Sequence, residues 1–201
     1  MKKRTKIIGI ILVIVFAYIY AHVEKTNMIY DKHVDSSEYV SLGILPVTVE
    51  QEFVCEVNRL DAISVKCQMS GDAADTMVKL TVYDVEDEKI CASAEISALK
   101  LKDGKFNSFS FEPIEGCKDR VYKVSLCNIG DKAEEGLGAG FVTQPLTEEG
   151  TKLSIGNEEK EGTLIMKTVT KGFDVETFCV VLLLILYIIV FFKFLIRLFS
   201  R

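Results

Sequence analysis

An all-β, two-sheet antiparallel sandwich flanked by one N-terminal and one C-terminal transmembrane helix is the fold class this sequence predicts. Three observations predict it. All 29 acidic residues lie between Glu24 and Glu176. Outside that stretch stand two apolar runs, and the charged residues there are all basic. Inside it, apolar residues alternate with period two through eight or nine short segments at regular spacing, the pattern of half-buried strands in a two-layer fold.

The chain opens with a basic segment, residues 1–6, that carries Lys2, Lys3, Arg4 and Lys6. The apolar run Ile7 to Ala21 follows, within a predicted membrane segment 7–23. Its fifteen residues reach only about 22 Å as a helix, short of the roughly 30 Å hydrocarbon core. Tyr18 and Tyr20 suit the membrane interface. The run fits a short signal anchor, and its Lys-rich start and Ala21 also fit a cleaved signal peptide. Ile19 and the bulky Tyr20 ahead of Ala21 favour the uncleaved anchor. At the other end, a helix is expected over 175–199, with an apolar run from Phe178 to Phe199. Lys193, Arg197 and Arg201 fall four apart, share one face, and suit the headgroups of the inner leaflet. Basic residues at both ends place both termini in the cytoplasm of a bacterial plasma membrane and the domain outside it. The C-terminal shape resembles a sortase signal. The LPxTG motif is absent, however, and Leu45-Pro46-Val47-Thr48 lies at the wrong end.

Residues 24–45 are polar and are expected to form a stalk, and 46–172 the sandwich. Val47, Val49, Phe53, Cys55 and Val57 form the first apolar face, before a turn at Asn58 to Asp61. Ile63, Val65, Cys67 and Met69 form the second, and Val78, Leu80 and Val82 the third, which ends at the acidic turn Asp84 to Glu88. Ile90, Ala92, Ala94 and Ile96 are the fourth. Lys102 to Lys105 is a turn ahead of Phe109 and Phe111. Tyr122, Val124 and Leu126 follow, then a strand from Gly138 to Thr143, and Leu153 and Ile155 lead through Gly156 to Glu158 into 162–170.

Several of these strings resemble a known module. Val49 to Phe53 with Asn58 to Ile63, Leu101 to Gly104 with Phe109 to Ile114 and Tyr122 to Leu126, and Leu153 to Asn157 with Gly162 to Leu164 occur in order. Over about 46–170 they resemble a jelly-roll-like β-sandwich of bacterial membrane proteins involved in cell-surface glycan assembly. The resemblance implies fold and setting. It carries over no functional residues, because the matched positions are core and turn residues. Such modules accompany many-pass glycosyltransferases, so it implies a separate glycosyltransferase as partner.

Charge narrows the partners. The acidic stretch holds 17 Lys and Arg against 29 Asp and Glu, a formal charge of −12. That repels phosphate backbones, so nucleic acid is not expected. No catalytic motif stands out, and neither an enzyme nor a cofactor is expected. His22 and His33 lack a ligand-type cluster, and Gly136 to Gly140 does not open a helix after a strand, so a bulged strand start is the better reading. Asp84 to Glu88 lacks the alternating ligands of a calcium loop and reads as a solvated turn.

The candidate ligand-binding set is Tyr83 with Thr81 and Lys79. These face away from Val78, Leu80 and Val82, and so form a polar strip with one aromatic ring that suits a sugar. The absence of Trp counts against glycan stacking. Five cysteines lie between the helices, Cys55, Cys67, Cys91, Cys117 and Cys127, and an odd number cannot all pair in one chain. Cys55 and Cys67 could bridge, but reduced, buried thiols are favoured. The expectation is a non-enzymatic accessory protein of the bacterial envelope, anchored in the bilayer, that binds a glycan or a glycan-assembling membrane protein. Polysaccharide chain-length determinants share the two-helix layout, but theirs is a helical external domain. A sensor or adhesin that binds protein at a sheet edge is the third class.

Overall fold

The computed structural model describes residues 2–22, 24–44, 46–70, 75–130, 133, 137–156 and 158–199, with backbone alone at 2–6 and 70. The chain forms two compact units, one of residues 26–170 and one of 1–25 with 171–201.

The larger unit is built from strands. They are β1 (Lys25–Met28), β2 (Val40–Ser41), β3 (Val49–Val54), β4 (Arg59–Ser70), β5 (Met77–Asp84), β6 (Lys89–Ser97) and β7 (Lys105–Glu115). Then come β8 (Val121–Ile129), β9 (Gly138–Gln144), β10 (Lys152–Ile155), β11 (Glu158–Lys160), β12 (Thr163–Leu164) and β13 (Met166–Thr170). Six of them form one sheet in the order β11-β10-β3-β8-β5-β6. Seven form the other along β1-β13-β4-β9-β12, with β2 on β9 and β7 on β4. The pairings are antiparallel. The predicted all-β, two-sheet architecture is what the domain adopts.

The apolar alternation has its expected cause. Val78, Leu80 and Val82 of β5 meet Val124 and Leu126 of β8, and Ile63, Val65 and Cys67 of β4 join Phe109 of β7 in one fully buried core. Gln51 also points inward, between Val49 and Phe53, and is wholly buried. Its Oε1 accepts the Leu164 amide at 2.8 Å, and its Nε2 donates to the Glu52 carbonyl at 3.0 Å. The bond from Leu164 to Gln51 crosses from one sheet to the other. An unpaired buried amide costs about 1–3 kcal/mol, so the crossing contact fixes how the two sheets face each other.

Four expectations are corrected. Residues 24–45 are not a stalk throughout, because from Thr26 the segment belongs to the sandwich. β1 flanks β13, Ile29 is buried, and β2 pairs with β9. The expected turn over Asn58 to Asp61 is shorter, since β4 starts at Arg59 and a bulge between Leu60 and Ala62 keeps Leu60 in the core. Val47 precedes β3 and is exposed. Ile90 pairs with outward-facing Tyr83 across a bulge at Val82/Tyr83, and is 60% exposed.

The glycine-rich run is strand. Gly138 and Gly140 belong to β9, while Gly136 lies outside the described residues. A Cβ on Gly140 would stand 2.8 Å from the Gly43 carbonyl oxygen, so only glycine lets the chain after β2 approach β9 this closely. At the domain's ends β1 and β13 run in opposite directions. The Ile29 amide donates to the Met166 carbonyl at 3.1 Å, and Thr168 Oγ1 donates to the Asn27 carbonyl at 3.5 Å. The first residue of this unit, Thr26, therefore lies at the same end as its last, Thr170.

The smaller unit contains α1 (Lys2–Ala21) and α2 (Val175–Phe199). α2 alone, among the described residues, is long and apolar enough to cross a membrane. The apolar part of α1, Ile7–Ala21, is shorter. Lys193 and Arg197 lie on α2, and Lys2, Lys3, Arg4 and Lys6 lie in the first turns of α1, while Arg201 falls outside the described residues. Asp174 caps α2. Its Oδ1 accepts the Glu176 and Thr177 amides at 3.0 and 3.2 Å, its Oδ2 accepts the Thr177 hydroxyl, and Lys25 pairs with it. The Lys25 ammonium and these donors pull its carboxyl down to about 2. Because the folded value lies below the ordinary 3.8, the cap's contribution is complete above about pH 5 and is lost as pH falls towards 2. Amide exchange at Glu176 and Thr177 should quicken across that window in the native chain, beyond intrinsic exchange. In Asp174→Ala the extra acid-induced change should vanish.

Candidate functional site

The predicted strip lies on the outer face of the six-stranded sheet, where β5 runs between β8 and β6. Strand order decides what these side chains can do. Lys79 is held by Glu95 across the β5–β6 pair at 3.0 Å. Thr81 sits opposite Ser125 on one side and Ser93 on the other, and is only 7% exposed. Tyr83 is half-buried, with Lys123 Nζ 5.4 Å from its ring centroid. The three do share one face, as the alternation requires, but their polar groups and ring are largely engaged by neighbours.

A second surface went unrecognised in the sequence. The chain between β1 and β2 passes over the outer face of the seven-stranded sheet and brings Tyr30 and Tyr39 to Phe106 of β7. Tyr30 stacks on Phe106 with centroids 6.1 Å apart, and Tyr39 meets Tyr30 edge-on at 6.3 Å. Lys167 of β13 lies over the Phe106 ring at 4.0 Å, and Lys66 of β4 over the Tyr39 ring at 5.0 Å. Such cation–ring contacts are worth about 0.5–1 kcal/mol at an exposed site. Burial, then the Tyr39 charge, raises the Tyr30 hydroxyl above its ordinary value. Burial, then Asp31 and Asp35, does the same to Tyr39, so both remain protonated donors at neutral pH.

Beside Tyr30 opens a groove of about 570 Å³, lined by residues 26–33 and Glu148. Asp31, Lys32, His33 and Glu148 give its lining carboxylate acceptors and cationic or imidazole donors, and Tyr30 is among the lining residues. The Asp31 carboxylate is steadied by the His33 amide at 2.7 Å, and Asp35 caps the short 3-10 turn Ser36–Glu38 through the Ser37 amide at 2.8 Å. The volume falls within the range of small-ligand sites. The sequence offered one signal, aromatics at 30 and 39 in an otherwise polar stretch, but nothing in it tied them to Phe106.

The remaining candidates are structural. His22 donates to or accepts from nothing beyond its own helix among the described hydrogen bonds, with Nδ1 2.8 Å from the Tyr18 carbonyl oxygen, and its ring packs on Tyr18 and Phe173. The acidic turn after β5 surrounds an arginine. Arg120 reaches Asp84 at 2.9 Å, Asp87 at 2.7 Å and Glu86 at 3.8 Å. A side-chain guanidinium thus fills the place a calcium ion would need. Among the described residues no cluster of three or more His, Cys, Asp or Glu is placed to hold a metal. Glu134, Glu135 and Asn157 lie outside the described residues, as does Leu45. No protein-family model matches the chain, and comparison with curated proteins finds no match.

Proposed function

We propose that this chain is a non-enzymatic, membrane-anchored accessory protein of a bacterial cell envelope whose external sandwich binds a glycan in the groove beside Tyr30. The groove itself carries the reading. Sugar hydroxyls both donate and accept, and Asp31, Glu148, Lys32 and His33 supply both partners next to an aromatic ring. The groove is preferred to the Tyr83 strip because it is a concavity, whereas Thr81 is only 7% exposed and Lys79 is held by Glu95. The resemblance to glycan-assembly modules supports the setting. Segregation of acidic from basic residues supports α1 as a second span and both termini in the cytoplasm. A membrane glycosyltransferase is then the natural neighbour in the bilayer. The long helices of a chain-length determinant's external domain have no counterpart among the described residues of 26–170, where helix is limited to short 3-10 turns.

One feature favours protein binding as a second reading. β6 is an edge strand of nine residues, with Ile90 exposed at one end and Leu99 exposed just beyond the other. An unpaired edge of this kind can take an added strand, as a sensor or adhesin would use it.

The test is titration of the detergent-solubilised full chain with the host's envelope polysaccharides. Tyr30→Ala should weaken binding at least tenfold, since stacking and hydroxyl contacts go together, and Tyr83→Ala should change it less than twofold. Equal loss in both variants, or saturable binding unaffected by Tyr30→Ala, would sink the site. No binding to any polysaccharide would shift the proposal to the β6 edge.

A further inference from the structure

Cys55 directly follows β3 and Cys67 lies on β4, the next strand in the chain, but β3 and β4 belong to different sheets. The cysteine brought to Cys55 is Cys117. Cys55 follows β3 directly, and Cys117 lies in the turn between β7 and β8. Backbone bonds tie the two turns together. The Cys55 amide donates to the Arg120 carbonyl at 2.9 Å, the Asp119 amide to the Cys55 carbonyl at 2.7 Å, and the Cys117 amide to the Asn58 carbonyl at 3.3 Å. Both thiols are fully buried in the same core and within hydrogen-bonding reach of each other. Each also donates locally, Cys55 to the Val57 carbonyl and Cys117 to the Ile114 carbonyl. Cys67 is in the other sheet, against the Val65 carbonyl. Cys91 and Cys127 lie elsewhere on the six-stranded sheet, on β6 and β8, and Cys179 lies in α2.

We infer that Cys55 and Cys117 are a convertible pair that closes into a disulfide by exchange with a small or protein disulfide. One thiolate attacks the oxidant's disulfide and releases one thiol. The second attacks the resulting mixed disulfide and releases another. Two cysteine thiols and one external disulfide thus become one internal disulfide and two external thiols, with both electrons passing to the oxidant. The bridge clips the end of β3 to the β7–β8 turn, and it crosses a long stretch of chain. In the folded domain burial pushes Cys117 up to about 12 and raises Cys55 as well, so exchange is slow once the core has closed. Closure therefore belongs to the folding chain, whose thiols ionise normally. The inference concerns the fold's covalent state and does not rest on the glycan reading.

The experiment refolds the full chain from urea in detergent micelles, into either oxidised and reduced glutathione or dithiothreitol, with residual thiols then blocked for peptide mapping. The expected result is loss of two of the six thiols, a linked Cys55–Cys117 peptide pair, and a melting temperature raised by roughly 10 °C that reductant reverses. Cys67→Ala should leave the linked pair in place, and Cys117→Ala should abolish it. Mapping on the unaltered chain remains decisive if either variant folds poorly. Six free thiols after refolding with glutathione, glutathione adducts without an internal bridge, or a bridge between any other pair would each overturn the inference.

Discussion

Phe109→Ala should lower the stability of the sandwich by about 4 kcal/mol, the loss expected when a fully buried phenyl group is removed. Phe109 is wholly buried on β7 and lies directly opposite Ile63 in the β4–β7 ladder. It lies in the same core cluster as the apolar side chains of β3, β5 and β8 from the facing sheet. Truncation removes the ring's transfer energy and leaves a cavity that strands anchored on both sides cannot collapse around. Domains of this size are stable by only about 5–15 kcal/mol, so a large part of the total is at stake. Urea unfolding of the full chain in micelles, followed by the β signal in circular dichroism, measures it. A loss under about 1 kcal/mol would mean that Phe109 is not a central core residue.

Asp84→Ala should cost about 2–3 kcal/mol, whereas Glu86→Ala, in the same turn, should stay within about 0.5 kcal/mol. Asp84 is only 2% exposed, and its Oδ1 accepts the Glu86 and Asp87 amides at 3.0 and 3.2 Å. Its Oδ2 holds Arg120 at 2.9 Å. Alanine there leaves two turn amides and one face of a guanidinium without partners in a place water reaches poorly. Glu86 is exposed and meets Arg120 only at 3.8 Å, a surface pair of little worth. The same urea series separates the two. Equal effects would show that the turn is held by charge in general rather than by this buried carboxylate.

These two residues mark what was legible in the chain. Phe109 and the inward face of β5 follow from alternation, because one face of a strand is buried and the side-chain period is two. The partner of Asp84 did not follow. Arg120 is 36 residues away, and only the pairing of β5 with β8 brings them together. The same reason hides the engagement of Tyr83 by Lys123 and the pairing of Cys55 with Cys117. Each depends on which strands are neighbours, and sequence order misleads where consecutive strands change sheets. The start of β4 is hidden in the sequence because Arg59 and Asp61 are both polar, as turn residues are. In the fold those two pair with each other at 2.8 Å at the start of β4. The stretch 26–41 looked like a stalk because its apolar residues have no period. Only its two ends, β1 and β2, join a sheet, and the residues between them pack across one, so no single helical or strand spacing runs through it. The acidic-to-basic partition, by contrast, needed no fold at all, since it concerns the bilayer as solvent and not the packing of the domain.

The antiparallel seam between β1 and β13 has a mechanical consequence. Thr26 and Thr170 emerge side by side, so tension between the two chain ends loads this seam as a zipper. Its hydrogen bonds then carry the load one after another rather than together in shear, and a zipper yields at low force. Traction at the domain's own ends should therefore open this seam before it loads the core strands. Since Ile29 and Tyr30 follow β1 directly, the groove is among the first features lost when the chain is pulled.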